Sequence, residues 1–71
     1  MNRGKNYREI IGCRLQDIRV QRGMTIEEVS EAAGLTSATI VKVEQGKFNY
    51  QIDTIGVICE ALGVTIEIKF E

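Results

Sequence analysis

The sequence predicts an all-α domain of four to five helices that ends in a single β-strand. Two observations predict the helices: apolar residues recur every three or four positions along four stretches, and a glycine follows each stretch where a helix would end. A third observation predicts the strand, because apolar and polar side chains alternate strictly over residues 64–70. The four glycines are Gly23, Gly34, Gly46 and Gly63.

The composition favours one cytoplasmic domain, residues 1–71, without a cofactor. Its 71 residues give a core near the smallest that folds without further support, so burial in a dimer would matter. Histidine is absent, and Cys13 and Cys59 lie far apart, which argues against a metal site and a disulfide framework. The polar N-terminal residues and the lack of a long apolar run predict neither a signal peptide nor a membrane span.

Charge is segregated along the chain. The net charge is −1, from nine basic and ten acidic residues, which argues against a polycation that coats nucleic acid. Residues 1–22 are nevertheless mostly basic, which permits a basic face on an acidic protein; ordinary solvated helix charges would give the same pattern. The basic residues concerned are Arg3, Lys5, Arg8, Arg14, Arg19 and Arg22.

The first helix is predicted over Tyr7–Arg22. Its inward face carries Ile11, Leu15 and Ile18 at spacings of four and three residues. Gly12 should weaken its first turn, because glycine has a low helix propensity.

The second helix is predicted to begin at Thr25 with a capping box. In Thr25-Ile-Glu-Glu, the threonine hydroxyl can accept from the backbone N–H of Glu28, whose side chain can reach back. A narrow face of small residues then precedes the next glycine, which predicts close packing against another helix. This face consists of Val29, Ala32 and Ala33.

The third and fourth helices are predicted over Ser37–Glu44 and about Ile52–Leu62. Thr36 is the expected N-cap of the third helix, in which Ile40 and Val43 should face inward. A polar loop at residues 47–50 joins the two helices. The inward face of the fourth helix should consist of Ile52, Ile55, Cys59 and Leu62.

The predicted strand, Val64–Phe70, needs a partner. A lone strand cannot satisfy its own backbone donors and acceptors, and the only other candidate, Tyr7–Ile11, is weak. The same strand of a second copy would give an antiparallel pair across a two-fold axis. The alternative is a strand or extended tail packed on its own domain. The expected dimerisation residues are Val64, Ile66, Ile68 and Phe70.

Residues Thr25–Glu44 have the spacing of a helix-turn-helix, in which two short helices are joined by a tight turn, here at Gly34. The run from Arg19 to Lys47, RVQRGMTIEEVSEAAGLTSATIVKVEQGK, resembles the phage-repressor (Cro-like, xenobiotic-response-element or XRE) helix-turn-helix family. The resemblance extends over about Ile11–Val64.

This resemblance implies a compact lambda-repressor-like bundle of four or five helices. It implies operator DNA as the ligand, usually bound by a homodimer. It also implies an internal ion pair between Arg19 and Glu44 that supports the second helix of the motif from behind, so neither residue is expected to contact DNA.

Base contacts are predicted at the exposed front of the third helix. Ser37 can donate or accept a hydrogen bond, Ala38 can offer a methyl group to thymine, and Lys42 can donate to guanine or to a phosphate. Val41 is a candidate for a second apolar contact. Each of the four could equally be an ordinary solvent-exposed helix residue.

Phosphate contacts are predicted at the N-termini of the second and third helices, Thr25 and Thr36, where free N–H groups and the helix dipole suit an anion. Ile26 departs from the family, which commonly has glutamine there, so one usual contact to the DNA is missing. The residues expected to assist are Thr39, Lys47, Asn49 and Tyr50.

These features predict a sequence-specific regulator, expected to be a repressor, that binds double-stranded DNA as a homodimer. An antitoxin-type regulator that also binds a protein toxin is one alternative, and a neighbouring toxin-like reading frame would favour it. A protein-interaction module without DNA binding is another, favoured by Ile26 and the acidic composition. An enzyme is not expected, because the sequence has no nucleophile with a neighbouring base and no phosphate loop.

Overall fold

The computed structural model describes residues 6–47 and 49–71, which form four α-helices. The predicted helices are confirmed with boundaries that agree to within a residue; a fifth helix is not present in the described parts of the chain. None of the described helices is both long and apolar enough to cross a membrane. The helices are α1 (Tyr7–Gln21), α2 (Ile26–Ala33), α3 (Ser37–Gln45) and α4 (Ile52–Leu62).

Side-chain caps determine where the first three helices begin. Asn6 caps α1. Thr25 and Glu28 form the predicted capping box of α2: the Glu28 N–H donates to Thr25 Oγ1 at 3.0 Å, and the Thr25 N–H donates to Glu28 Oε1 at 2.8 Å. Thr36 caps α3 by accepting from the Thr39 N–H at 3.1 Å.

All four helices end at a glycine in the left-handed conformation, with φ between 67° and 75°. The residue after each glycine donates its N–H to the carbonyl five positions earlier, at 2.9–3.1 Å, which satisfies an otherwise unpaired carbonyl at the helix end. The glycine spacing in the sequence therefore marked the real helix ends.

The core lies between the four helices. As predicted, Ile40 and Val43 of α3 are buried. Two expectations of burial are wrong. Ala32 of α2 is exposed. Ile52 is 62% exposed, because it begins α4 and a side chain in the first turn of a helix points back past the helix end. Ser30 takes the inward position on α2. The buried apolar residues are Leu15, Val29, Ile40, Val43, Ile55, Ile58, Cys59 and Leu62.

Gly12 is where α1 and α3 come closest. A Cβ atom there would collide with the backbone carbonyl oxygen of Val43 and would lie 2.8 Å from that of Glu44. Close approach also occurs at Gly46, where an added Cβ would lie 2.7 Å from the Cα atom of Glu9. The glycines therefore allow the two helices to pack directly, backbone against backbone.

The predicted strand, Val64–Phe70, is not formed: residues 64–71 have no regular secondary structure, and Tyr7–Ile11 is helical. Within the described chain, no residue from 65 to 71 donates its backbone N–H to another backbone group. The physical reason is that a strand needs a ladder, and the described residues of one molecule offer no second strand. Val64 packs against the core, whereas Ile66, Ile68 and Phe70 are 36%, 60% and 93% exposed.

Candidate nucleic-acid interface

The helix-turn-helix consists of α2 and α3 joined through Gly34. The two helices also touch through their hydroxyl groups, since Ser30 Oγ lies 3.4 Å from Ser37 Oγ. Ser30 is buried, and its hydroxyl donates to the Glu27 carbonyl at 2.9 Å, so the polar group is satisfied. Ser30 thus packs against the first turn of α3 with its hydroxyl satisfied.

Arg19 of α1 and Glu44 of α3 form a two-point ion pair. Arg19 Nε donates to Glu44 Oε2 at 2.6 Å, and Nη2 donates to Oε1 at 3.1 Å. A third donor, Nη1, reaches the Met24 carbonyl at 2.9 Å, just before α2. The hydrogen bond to Glu44 raises the pKa of Arg19 despite the opposing effect of burial, so the guanidinium stays charged. One side chain thus joins α1, α3 and the segment leading into α2.

The predicted base-reading residues differ in exposure. Ala38 and Lys42 are exposed and lie one turn apart on the same side of α3. Ser37 and Val41 are half-buried at the edges of this surface. Thr39 is also half-buried, and its hydroxyl lies 2.8 Å from that of Thr36, so it is engaged in the cap.

Backbone donors remain at the N-termini of α2 and α3. In the described chain, the N–H groups of Ile26 and Glu27 on α2, and of Ser37 and Ala38 on α3, have no protein acceptor. Four such donors at two helix N-termini suit phosphate oxygens. The carboxylate of Glu28 lies at the start of α2, and its negative charge opposes a phosphate there.

The loop between α3 and α4 is held against the start of α1. Lys47 and Asn49 are exposed, and Phe48 lies outside the described residues. Arg8 Nη1 donates to Asn49 Oδ1 at 2.8 Å, and the Tyr50 hydroxyl donates to the Arg8 carbonyl at 3.3 Å. Burial raises the pKa of Tyr50, with a smaller opposing effect from Arg8, which keeps this hydroxyl protonated. Sequence reasoning missed Arg8, because only the fold brings residues 8 and 49 together.

The basic residues of α1 do not form one face. Arg8 reaches the loop after α3, whereas Arg14 lies beside α4 and the C-terminal segment. The Arg22 guanidinium lies next to Gly63 at the end of α4. Arg3 and Lys5 lie outside the described residues. Of the described α1 arginines, Arg8 is therefore the one placed beside the predicted contact residues.

Ile26 begins α2 and is half-buried against the core. An apolar side chain with these contacts cannot replace the hydrogen bonds of a glutamine. The first residue of α2 therefore serves packing, and contacts in this region depend on its backbone and on α3.

A protein-family model described as "Helix-turn-helix" (HTH_3) matches residues 15–69. Among curated proteins, the chain is 28% identical over 61 residues to the transcriptional regulator ClgR of Mycobacterium tuberculosis, a match that covers 86% of this chain and 54% of that protein. The chain thus spans about half the length of this relative. It is 29% identical over 60 residues to an uncharacterized HTH-type transcriptional regulator, y4dJ, of Sinorhizobium fredii, with coverage of 84% and 78%.

Several solved structures share the fold. The crystal structure of the clp gene regulator ClgR from C. glutamicum superposes with a TM-score of 0.78 at 28% identity, covering 82% of this chain and 75% of that one. The restriction-modification controller protein C.AhdI from Aeromonas hydrophila has a TM-score of 0.80 at 24% identity, with coverage of 86% and 92%. At that identity, the second likeness concerns the fold alone.

Proposed function

The chain belongs to the helix-turn-helix family of the phage-repressor (XRE) type, and from that premise we propose that it is a sequence-specific regulator that binds double-stranded DNA as a homodimer. In this proposal α3 lies in the major groove. Occupation of a promoter by the dimer represses transcription by excluding other proteins. The two curated relatives are transcriptional regulators by name.

The observation that carries the proposal is that one side of α3 is held against α1 while the opposite side is exposed to solvent. Arg19 and Glu44 hold its last turn to α1, so the helix is presented in one orientation. On the opposite side, Ala38 and Lys42 are exposed, and their side chains suit a thymine methyl group and a guanine edge. A rigid helix that presents a methyl group and an ammonium one turn apart is suited to reading adjacent base pairs.

Phosphate contacts support the same orientation. The unpaired N–H groups at the starts of α2 and α3 and the exposed Lys47 can position the protein on the DNA backbone without reading sequence. Asn49, held by Arg8, gives the loop after α3 a further polar group. Thr25 and Thr36 act indirectly, since their side chains cap the two helices and so hold the free N–H groups of the next two residues in place.

The homodimer is proposed because one copy offers few contacts. A short α3 with one exposed lysine gives limited affinity, and two copies related by a two-fold axis would read a palindromic site. The exposed apolar residues Ile66, Ile68 and Phe70 provide a surface for association.

Selection from random duplexes tests the proposal. We expect enrichment of a palindromic motif, and Lys42→Ala should weaken binding to it by about fivefold or more, because a good base contact contributes about 1–3 kcal/mol. The measurement is a fluorescence-anisotropy titration of the selected duplex and of a scrambled duplex.

Arg22→Ala is the matched control, since it removes the same charge beside Gly63 and away from α3. It should leave the preference for the selected duplex unchanged. Recovery of no enriched motif at low salt would overturn the proposal.

A further inference from the structure

The segment after α4 combines alternating apolar residues with opposite charges on either side of Ile68. Glu67 precedes Ile68 and Lys69 follows it, and both charged residues are exposed. Ile66 and Phe70 lie two positions before and after the same residue. The segment is therefore nearly symmetric about Ile68 in hydrophobicity and antisymmetric in charge.

An antiparallel pair of such segments would be complementary to itself. We propose that residues 65–71 pair with the same residues of a second copy, in the one register that places Ile68 opposite Ile68 of the other copy. In this register Glu67 of each copy lies opposite Lys69 of the other, which gives two opposite-charge pairs. Ile66 then lies opposite Phe70, and the three apolar residues share one face. This inference rests on the homodimer in the proposed function and specifies its interface.

Other registers are less favourable. Centring the pair on Glu67 sets two carboxylates directly opposite each other, and centring it on Lys69 does the same with two ammonium groups. A shift by a single residue places apolar side chains opposite charged ones and turns half of the apolar set to the other face. Centring the pair on Ile66 sets Glu67 opposite the neutral Thr65. Centring it on Phe70 sets Lys69 opposite Glu71 but pairs only residues 69–71. Of these alignments, the one centred on Ile68 alone combines two Glu67–Lys69 pairs with apolar side chains opposite each other along the segment.

The pairing also covers an apolar groove. The groove has a volume of about 590 Å³ and lies between α1, α4 and the C-terminal segment, where Ile10, Ile52 and Ile66 are among its lining residues. Because Phe70 of the second copy would be the direct neighbour of Ile66, its ring would be brought to the groove. A two-stranded sheet alone is marginal, so this contact with the helices supplies the burial that it needs.

The surface is separate from the candidate nucleic-acid interface. The residues that line the groove belong to α1, α4 and the C-terminal segment, with no contribution from the described residues of α3. A dimer joined in this way therefore keeps Ala38 and Lys42 exposed in both copies. Substitutions in residues 65–71 can therefore alter association without changing α3.

Charge exchange tests the register. Sedimentation equilibrium of the full chain at low salt would compare Glu67→Lys, Lys69→Glu and the double variant Glu67→Lys/Lys69→Glu. Each single variant turns both opposite-charge pairs into like-charge pairs, and we expect its dimer dissociation constant to rise about tenfold or more. The double variant restores opposite charges, and its dissociation constant should return to within about threefold of the original.

Glu60→Lys is the matched control, because it changes the charge by the same amount at an exposed position of α4. A second measurement is independent of charge: in a Cys13→Ser background, Ile68→Cys should form an intermolecular disulfide, since the two residues are directly opposite. Glu67→Cys, which does not oppose itself, should cross-link far less.

The outcomes separate this inference from the proposed function. A chain that is monomeric at every concentration would overturn both the homodimer and the interface. A dimer that is indifferent to the single charge variants, or that the double variant weakens further, would overturn this register and leave the homodimer and DNA binding standing. Loss of DNA selectivity in Lys42→Ala with an unchanged dimer dissociation constant would support α3 as the helix that contacts DNA and would leave this interface standing.

Discussion

At Gly12, a hydrogen atom in place of a side chain leaves room for the carbonyl oxygens of Val43 and Glu44 on the neighbouring helix. The sequence predicted the glycine to be a weakness of α1, because helix propensity is a property of the helix alone. Its value lies in the contact between two helices, which that scale does not include. The residue pattern along one helix therefore placed Gly12 within α1 but gave no sign of its role in the contact with α3.

Gly12→Ala should lower the free energy of unfolding by about 2 kcal/mol or more, since backbone atoms of α3 would have to move. Urea denaturation followed by circular dichroism measures this change. Gly56→Ala is the control, because Gly56 lies within α4 and an added Cβ would meet nothing within 4 Å. That variant should gain about 0.5–1 kcal/mol from helix propensity. An alanine at position 12 that left stability unchanged would contradict the close packing.

At the scale of elements, the helices were predictable because their signals are local. Thr25, Thr36 and the following glycines set the beginnings and ends through hydrogen bonds within a few residues. Burial was less predictable where a helix begins, as at Ile52. The Arg8–Asn49 hydrogen bond was missed because it joins residues that only the fold brings together.

The strand shows the limit of a periodic pattern. Alternation over residues 64–70 describes which face a strand would bury, but a strand forms only when another backbone completes its ladder. Residues 6–47 and 49–71 of one molecule offer no such backbone, so the pattern predicted an element that this part of the chain does not form.

If a second copy completes the ladder, the double variant Ile68→Pro/Lys69→Pro should convert the dimer to a monomer. Alternate residues donate their N–H to the partner strand, so prolines at two adjacent positions must remove one such donor. The helices should keep their circular dichroism, since residues 68 and 69 lie after α4. Sedimentation velocity gives the association state. Ile68→Val/Lys69→Arg keeps both donors, the apolar side chain and the charge, and should remain dimeric. A dimeric double proline variant would exclude pairing through this segment.

At the scale of the whole molecule, the overall charge of the chain does not favour binding to DNA. The chain has a net charge of −1, and the arginines of α1 are spread over different sides of the bundle. Attraction to DNA would then depend on a few cations near α3 and the loop after it, chiefly Lys42, Lys47 and Arg8. Binding should depend on salt less steeply than in a strongly basic regulator.

Lys47→Ala should weaken binding to all duplexes by a similar factor and reduce the slope of log K against log salt by about 1 for each contacting subunit. Anisotropy titrations at several salt concentrations measure that slope. Lys42→Ala should instead change the preference between the selected and scrambled duplexes. A Lys47→Ala variant with an unaltered slope would show that this lysine does not contact a phosphate.

The direct contact of α1 with α3 also has a consequence for the spacing of the two half-sites that a dimer would bind. Because the backbones touch at Gly12 and again at Gly46, there is little room for the two helices to shift, and we expect them to move as one unit. In a dimer joined beside α1 and α4, the distance and the angle between the two copies of α3 would therefore be fixed. Adding a single base pair between the two half-sites turns one half-site by about 34° relative to the other. A dimer with a fixed arrangement could then no longer place both copies of α3 in their grooves.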